Sequence, residues 1–130
     1  MVCRYYMRIY GLTECRRSVI MPLDEASRQQ CYQMQVTLDA RLSLLTIEGD
    51  DSFYEIWDSG LFQAINSRIG TLLDDYEEEF VATNDLPAII EVIGTDYLST
   101  NSRVVNEFSS RLRELCGIGV MLGMPLIFVL

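Results

Sequence analysis

The hydrophobic residues of this 130-residue chain change period twice, so its apolar side chains can be buried together only by packing strands against helices. From residue 32 to residue 44 every even position is apolar: Tyr32, Met34, Val36, Leu38, Ala40, Leu42 and Leu44. Gln33, Gln35, Thr37, Asp39, Arg41 and Ser43 stand between them. That alternation puts one set of side chains on one face of a strand. The run is longer than the about five or six residues of a usual strand, so a long bent strand, or two strands broken near Asp39, is expected. Residues 24–30 before it have helical propensity, and a helix running through the whole region is the rival reading.

Beyond residue 50 the spacing becomes helical. Asp51 or Ser52 can cap a short helix over Phe53-Tyr54-Glu55-Ile56-Trp57, and Ser59-Gly60 then breaks the chain. Leu61, Phe62, Ile65, Ile69, Leu72, Leu73, Tyr76 and Phe80 follow at helical intervals, which reads as one or two helices with Gly70 as the weak point. Leu86, Ile89, Ile90, Ile93 and Tyr97 mark a further helix, with Pro87 in its first turn. A last helix, capped by Thr100 or Asn101, carries Val105, Phe108, Leu112, Leu115 and Cys116 until Gly123 and Pro125 stop it. Leu126-Ile127-Phe128-Val129-Leu130 is continuously apolar, as in a strand covered on both faces. Tyr6-Met7-Arg8-Ile9-Tyr10 has strand composition, closed by Gly11. Pro22 interrupts Val19-Ile20-Met21-Pro22-Leu23, which suits an edge strand or a buried loop better than a central strand. No repeat, linker or low-complexity stretch divides the chain. The expectation is a single α+β domain over residues 1–130, with a small sheet that includes the first and last strands packed against the helices between 52 and 122.

Charge is as unevenly distributed as hydrophobicity. Residues 48–80 hold ten acids against Arg68 alone, so this quarter of the chain carries the whole net charge of −9. A field of that sign speeds encounter with a cationic surface and opposes phosphate, which argues against direct nucleic-acid binding. The alternative is a solvated helix face that keeps a hydrophobic chain in solution. Two details favour docking. Glu77, Glu78 and Glu79 have no basic partner at i,i+4, and Phe53, Tyr54, Trp57 and Tyr76 interleave with the acids as residue types enriched at interface hot spots. The candidate partner-binding residues are therefore Asp50, Asp51, Glu55, Trp57, Asp58, Asp74, Asp75, Tyr76, Glu77, Glu78 and Glu79. Arg4, Arg8, Arg16, Arg17 and Arg28 make the first 28 residues locally positive, and these guanidinium groups are expected to pair with carboxylates inside the domain or at a homodimer contact.

The basic residues are all Arg, and both Lys and His are absent, which removes the commonest general base and all side-chain amine and imidazole chemistry. Cys3, Cys15, Cys31 and Cys116 lack the C-x-x-C spacing of a zinc knuckle and an imidazole that could activate a thiol; they read as free core thiols. Asp50, Asp51, Glu55 and Asp58 are the carboxylates for a small Asp/Glu-dependent hydrolase, the alternative enzymatic reading. Glu48-Gly49-Asp50-Asp51 lacks the ordered oxygen ligands of a calcium loop. Gly117-Ile118-Gly119-Val120-Met121-Leu122-Gly123 lies where a helix should end and has no Lys after it, which favours close helix packing over a phosphate cradle. The uncharged stretch 115–130 is short for a membrane span and is broken by glycines and Pro125, which favours a core helix end and core strand. No catalytic residue, metal or cofactor is expected. The N-terminus has no secretory pattern, so the cytoplasm is the expected compartment.

Trp57-Asp58-Ser59-Gly60, Asp74-Asp75-Tyr76-Glu77-Glu78-Glu79 and the closing Pro125-to-Leu130 segment, in a small acidic α+β chain, resemble the immunity proteins of bacterial toxin systems, including contact-dependent growth inhibition. The likeness is of overall type. It implies a non-catalytic protein that binds and neutralises a cognate toxin domain with a basic surface, often a nuclease, inside the producing cell. A non-catalytic adaptor or homo-oligomer is the remaining alternative.

Overall fold

The computed structural model describes residues 8–9, 17–33, 35–37, 39–75, 77–94 and 101–130. In chain order the elements are β1 (Arg8–Ile9), β2 (Ser18–Pro22), α1 (Glu25–Tyr32), β3 (Gln35–Val36), β4 (Leu42–Thr46), α2 (Gly49–Asp58), α3 (Leu61–Ile69), β5 (Glu78–Val81), a 3-10 turn (Thr83–Asp85), α4 (Leu86–Ile93), α5 (Arg103–Leu122) and β6 (Leu126–Val129). Four strands form an antiparallel sheet in the order β4-β2-β6-β5, and β1 pairs in parallel with β3 as a separate two-stranded sheet. The fold class is α+β, as expected.

Both faces of the main sheet are covered. Val19, Met21, Leu45, Val81, Leu126 and Phe128 point to the face packed by α2, α3, α4 and α5. Ile20, Ile127 and Val129 point to the other, where they meet Cys31 of α1 and Val36 of β3. This two-sided burial is why residues 126–130 are apolar at consecutive positions rather than alternate ones.

The long alternating segment resolves into α1 and two strands. Asp24 caps α1, its Oδ1 accepting from the Ser27 amide at 2.8 Å, and the helix runs to Tyr32 before β3 and β4 take up the strand pattern on either side of residues 37–41. The break near Asp39 is therefore present, and the helical propensity of 24–30 holds for its own stretch without consuming the strands.

Val19 to Leu23 behaves differently from expectation. β2 is a central strand, fully buried, between β4 and β6. The reason lies in where its proline falls. Leu23 N donates to Arg41 O and Ile47 N donates to Arg17 O, so odd residues of β2 direct their backbone groups to β4 and even ones to β6. The nitrogen of Pro22 thus faces β6, whose pairing with β2 covers only Ser18 to Ile20. A missing N–H there breaks no bond.

The helical reading of 72–80 is also overturned. α3 ends at Gly70, which is left-handed at φ 75°, and Asn66 then ties down the following loop: its Oδ1 accepts from Leu73 N and Thr71 Oγ1, both at 2.8 Å, while its Nδ2 donates to Leu73 O. Leu72 is 73% exposed, so it lies on no core stripe. Glu78–Val81 instead forms the sheet edge beside β6, where Phe80 and Val81 bury on opposite faces, an arrangement no helix provides. The helices at 86–93 and 103–122 are as expected, with Ser102 rather than Thr100 or Asn101 as the α5 cap. Of the strand expected over 6–10, only Arg8–Ile9 falls within the described residues; it pairs with β3 rather than joining the C-terminal strand. Tyr97 lies outside them. Among the described residues no helix is long and apolar enough to cross a membrane.

Candidate partner-binding surface

The registers Ser18↔Thr46, Ser18↔Val129 and Glu78↔Val129 bring the start of β2, the ends of β4 and β6 and the start of β5 to one end of the sheet. α2 begins directly after β4 at that end. Phe53 and Ile56 bury one side of α2, which leaves Asp50, Asp51, Tyr54, Glu55 and Asp58 exposed on the other.

Arg17, the residue before β2, connects this helix to the loop that precedes β5. Its side chain is 5% exposed. Nε and Nη2 donate to Asp50 Oδ1 at 3.2 and 2.9 Å, and Nη1 donates to Asp75 Oδ1 at 2.8 Å. The guanidinium carbon lies 3.7 Å from the centroid of the Phe53 ring, a cation–π contact inside the protein. Tyr54 Oη donates to the other Asp75 oxygen at 3.0 Å. That bond to the carboxylate, with the negative charge behind it, raises the Tyr54 pKa above the ordinary tyrosine value. Arg17 holds a left-handed backbone at φ 67°, which costs a residue with a Cβ about 1–2 kcal/mol, offset by these bonds.

The eleven expected residues divide accordingly. Asp50, Asp51, Glu55, Asp58 and Asp74 are exposed, and Asp75 is brought beside them through Arg17. Glu55 accepts a hydrogen bond from Ser102 Oγ at the start of α5. Glu77 is exposed next to this end of the sheet, where its carbonyl accepts from Leu130 N at 3.0 Å. Trp57 is half-buried and stacks on Phe53, with ring centroids 6.2 Å apart, so it works as core cover more than as a projecting anchor. Glu78 and Glu79 lie half-buried on the edge strand β5 and do not face outward together. Glu78 shares the α1 face with Phe80, close enough to Cys31 to add to the burial that raises that thiol to about 11, while Glu79 points to the opposite face. Tyr76 lies outside the described residues.

Arg17 and the Tyr54–Asp75 bond are what sequence reasoning missed. Arg17 stood among several N-terminal arginines expected to pair internally, and nothing in the spacing singled it out. Tyr54, 47% exposed, is the aromatic that projects from the acidic face.

Two grooves line α5, of about 330 and 160 Å³. None of Asp50, Asp51, Glu55 and Asp58, the carboxylates of the hydrolase alternative, lines either one. Among the described residues no group of three or more His, Cys, Asp or Glu side chains is placed to hold a metal ion. In comparisons with known proteins, no family model matches the chain, and neither a curated protein nor a solved structure matches it.

Proposed function

We propose that this chain is an immunity protein: a stoichiometric inhibitor that neutralises a bacterial protein toxin with a basic surface in the cytoplasm of the producing cell. One observation carries the reading. Two acidic segments separated by a whole helix are tied together where buried Arg17 binds both Asp50 and Asp75. Arg17 neutralises part of the charge, yet Asp50 keeps a side chain 67% exposed, and Asp51, Asp58 and Asp74 remain outward without a guanidinium partner among the described ion pairs. Such a surface steers a cationic protein and competes with the phosphate backbone for its basic side chains, while Tyr54 supplies an amphipathic anchor whose hydroxyl is already oriented by Asp75. Pre-ordering by Arg17 reduces what must be immobilised on binding. The hydrolase alternative gains no support, because none of its carboxylates lines either groove along α5.

The test pairs the chain with the toxic domain of a large secreted protein encoded immediately upstream of it. Co-production should restore growth and give a one-to-one complex whose affinity falls with salt. The combined variant Asp51→Arg, Asp58→Arg, Asp74→Arg should fold as the parent does, lose protection and flatten the salt dependence. Protection undiminished in that variant would reject this surface.

A further inference from the structure

The β4 edge of the main sheet carries a different surface. β4 is an edge strand, and its odd residues direct their backbone groups to β2, as the Leu23–Arg41 and Ile47–Arg17 bonds fix. The N–H and C=O groups of Leu42, Leu44 and Thr46 therefore face outward, and they have no hydrogen-bond partner among the described residues. Nothing in Leu42-Ser43-Leu44-Leu45-Thr46 guards this edge: it has no charge and no proline. The other edge, β5, begins with Glu78 and Glu79 and is defended by charge in the usual way.

α5 runs antiparallel to β4 along this open edge. The Leu45-to-Glu48 end lies beside Val104 and Glu107, the Ser43–Leu44 end lies beside Glu114 and Ile118, and Arg111 borders both grooves. Leu44 and Ile118, which line the smaller groove, are 41 and 42% exposed, an apolar fringe beside unpaired backbone.

From this edge we infer that the chain associates with a second copy of itself by antiparallel pairing of β4 with β4 about a two-fold axis at Leu44. The pattern of outward groups is self-complementary about that residue. Leu44 pairs with its symmetry mate and Leu42 with Thr46 of the second copy, which satisfies every outward donor and acceptor of the strand. The charges agree. With α5 level with β4 and antiparallel to it, the axis sets the two copies of α5 side by side near Glu114, where Arg111 of each comes within reach of the other's Glu114. Ile118 is covered in the same contact. The result is one continuous eight-stranded sheet. Asp51, Asp58 and Asp74 contribute nothing to the pairing, so dimerisation and toxin binding are separable.

Sedimentation of the full chain over a wide concentration range tests this. The expected species at high concentration has twice the 14.9 kDa chain mass. Leu44→Lys sets like charges opposite one another at the axis and should weaken the dimer by about tenfold or more while leaving the far-UV spectrum unchanged. In a background with Cys3 and Cys15 replaced by Ser, Leu44→Cys should form an intermolecular disulfide on oxidation, since Cα atoms of a hydrogen-bonded antiparallel pair stand about 5.5 Å apart. Leu72→Cys, exposed elsewhere, should not. A 14.9 kDa species at every concentration overturns the proposal, as does a dimer that survives Leu44→Lys or that cross-links equally through residue 72.

Discussion

Asp50 and Asp75 share one guanidinium but stand differently towards solvent, their side chains being 67 and 21% exposed. Because Asp50 stands in solvent, water can take its place as acceptor for Arg17 Nε and Nη2 when it is removed. At Asp75 the same loss also removes the partner of Tyr54 and leaves the buried Nη1 without its acceptor. Asp75→Ala should therefore cost about 2 kcal/mol in urea unfolding and Asp50→Ala less than about 1 kcal/mol. The reverse order would mean that Asp75 does not anchor the arginine. The raised pKa of Tyr54 has a stability consequence of definite sign. A folded value above the unfolded one means a contribution fully present below the unfolded tyrosine value and lost as pH rises through the folded value. Tyr54→Phe should remove a tyrosinate absorbance component that titrates above the ordinary tyrosine value, and with it part of the alkaline loss of stability. Cys31 and Cys116, raised by burial to about 11 and about 12, should not react with thiol reagents at neutral pH until the protein unfolds.

Within α5, two glycines two residues apart do opposite things. Gly119 is buried, and a Cβ there would meet Leu86 Cδ1 at 2.7 Å and Met124 O at 3.0 Å, so the close approach of α5 to α4 depends on its absence. A Cβ at Gly117 meets nothing within 4 Å. Gly119→Ala should lower stability by about 1–3 kcal/mol through overpacking, while Gly117→Ala should raise it by up to about 1 kcal/mol through helix propensity. Thermal unfolding of the two variants against the parent checks the pair, and shifts of the same sign would contradict this packing. Close helix packing was readable from sequence for the run 117–123 as a whole. That Gly119 makes the contact and Gly117 does not follows only from which side of α5 faces α4.

For the whole molecule, the dominant fact is a net charge of −9, with Asp50, Asp51, Glu55 and Asp58 exposed on α2 and Asp74 and Glu77 exposed before β5. Ionised groups on the exposed side of α2 and at Asp74 and Glu77 repel one another, and among the described residues Arg17 relieves part of this. Raising salt from low to physiological ionic strength should therefore increase the unfolding midpoint, since exposed like charges are screened over about 8–10 Å. The Asp51, Asp58 and Asp74 reversal should weaken that dependence. A midpoint that falls with salt in the parent would mean that attractive pairs, not repulsion, dominate the surface.

Local regularities along the chain determined a good deal. The α+β class, the helices at 86–93 and 103–122, the buried C-terminal strand, the break near Asp39 and the segregation of acid all follow from spacing and composition, because each depends on neighbours a few residues apart. Three matters were decided only by tertiary structure. Leu72 to Phe80 satisfies a helical period by coincidence, and became a loop and edge strand because Asn66 clamps the loop and β6 offers an open side. Pro22 sits in a central strand because its missing donor faces a part of β2 that β6 does not reach. Arg17, 33 residues from Asp50 and 58 from Asp75, acquires its role only when β2 is inserted between β4 and β6. Periodicity is a local property of the chain, whereas partner strands and ion pairs across tens of residues depend on which distant segments the packed sheet sets side by side.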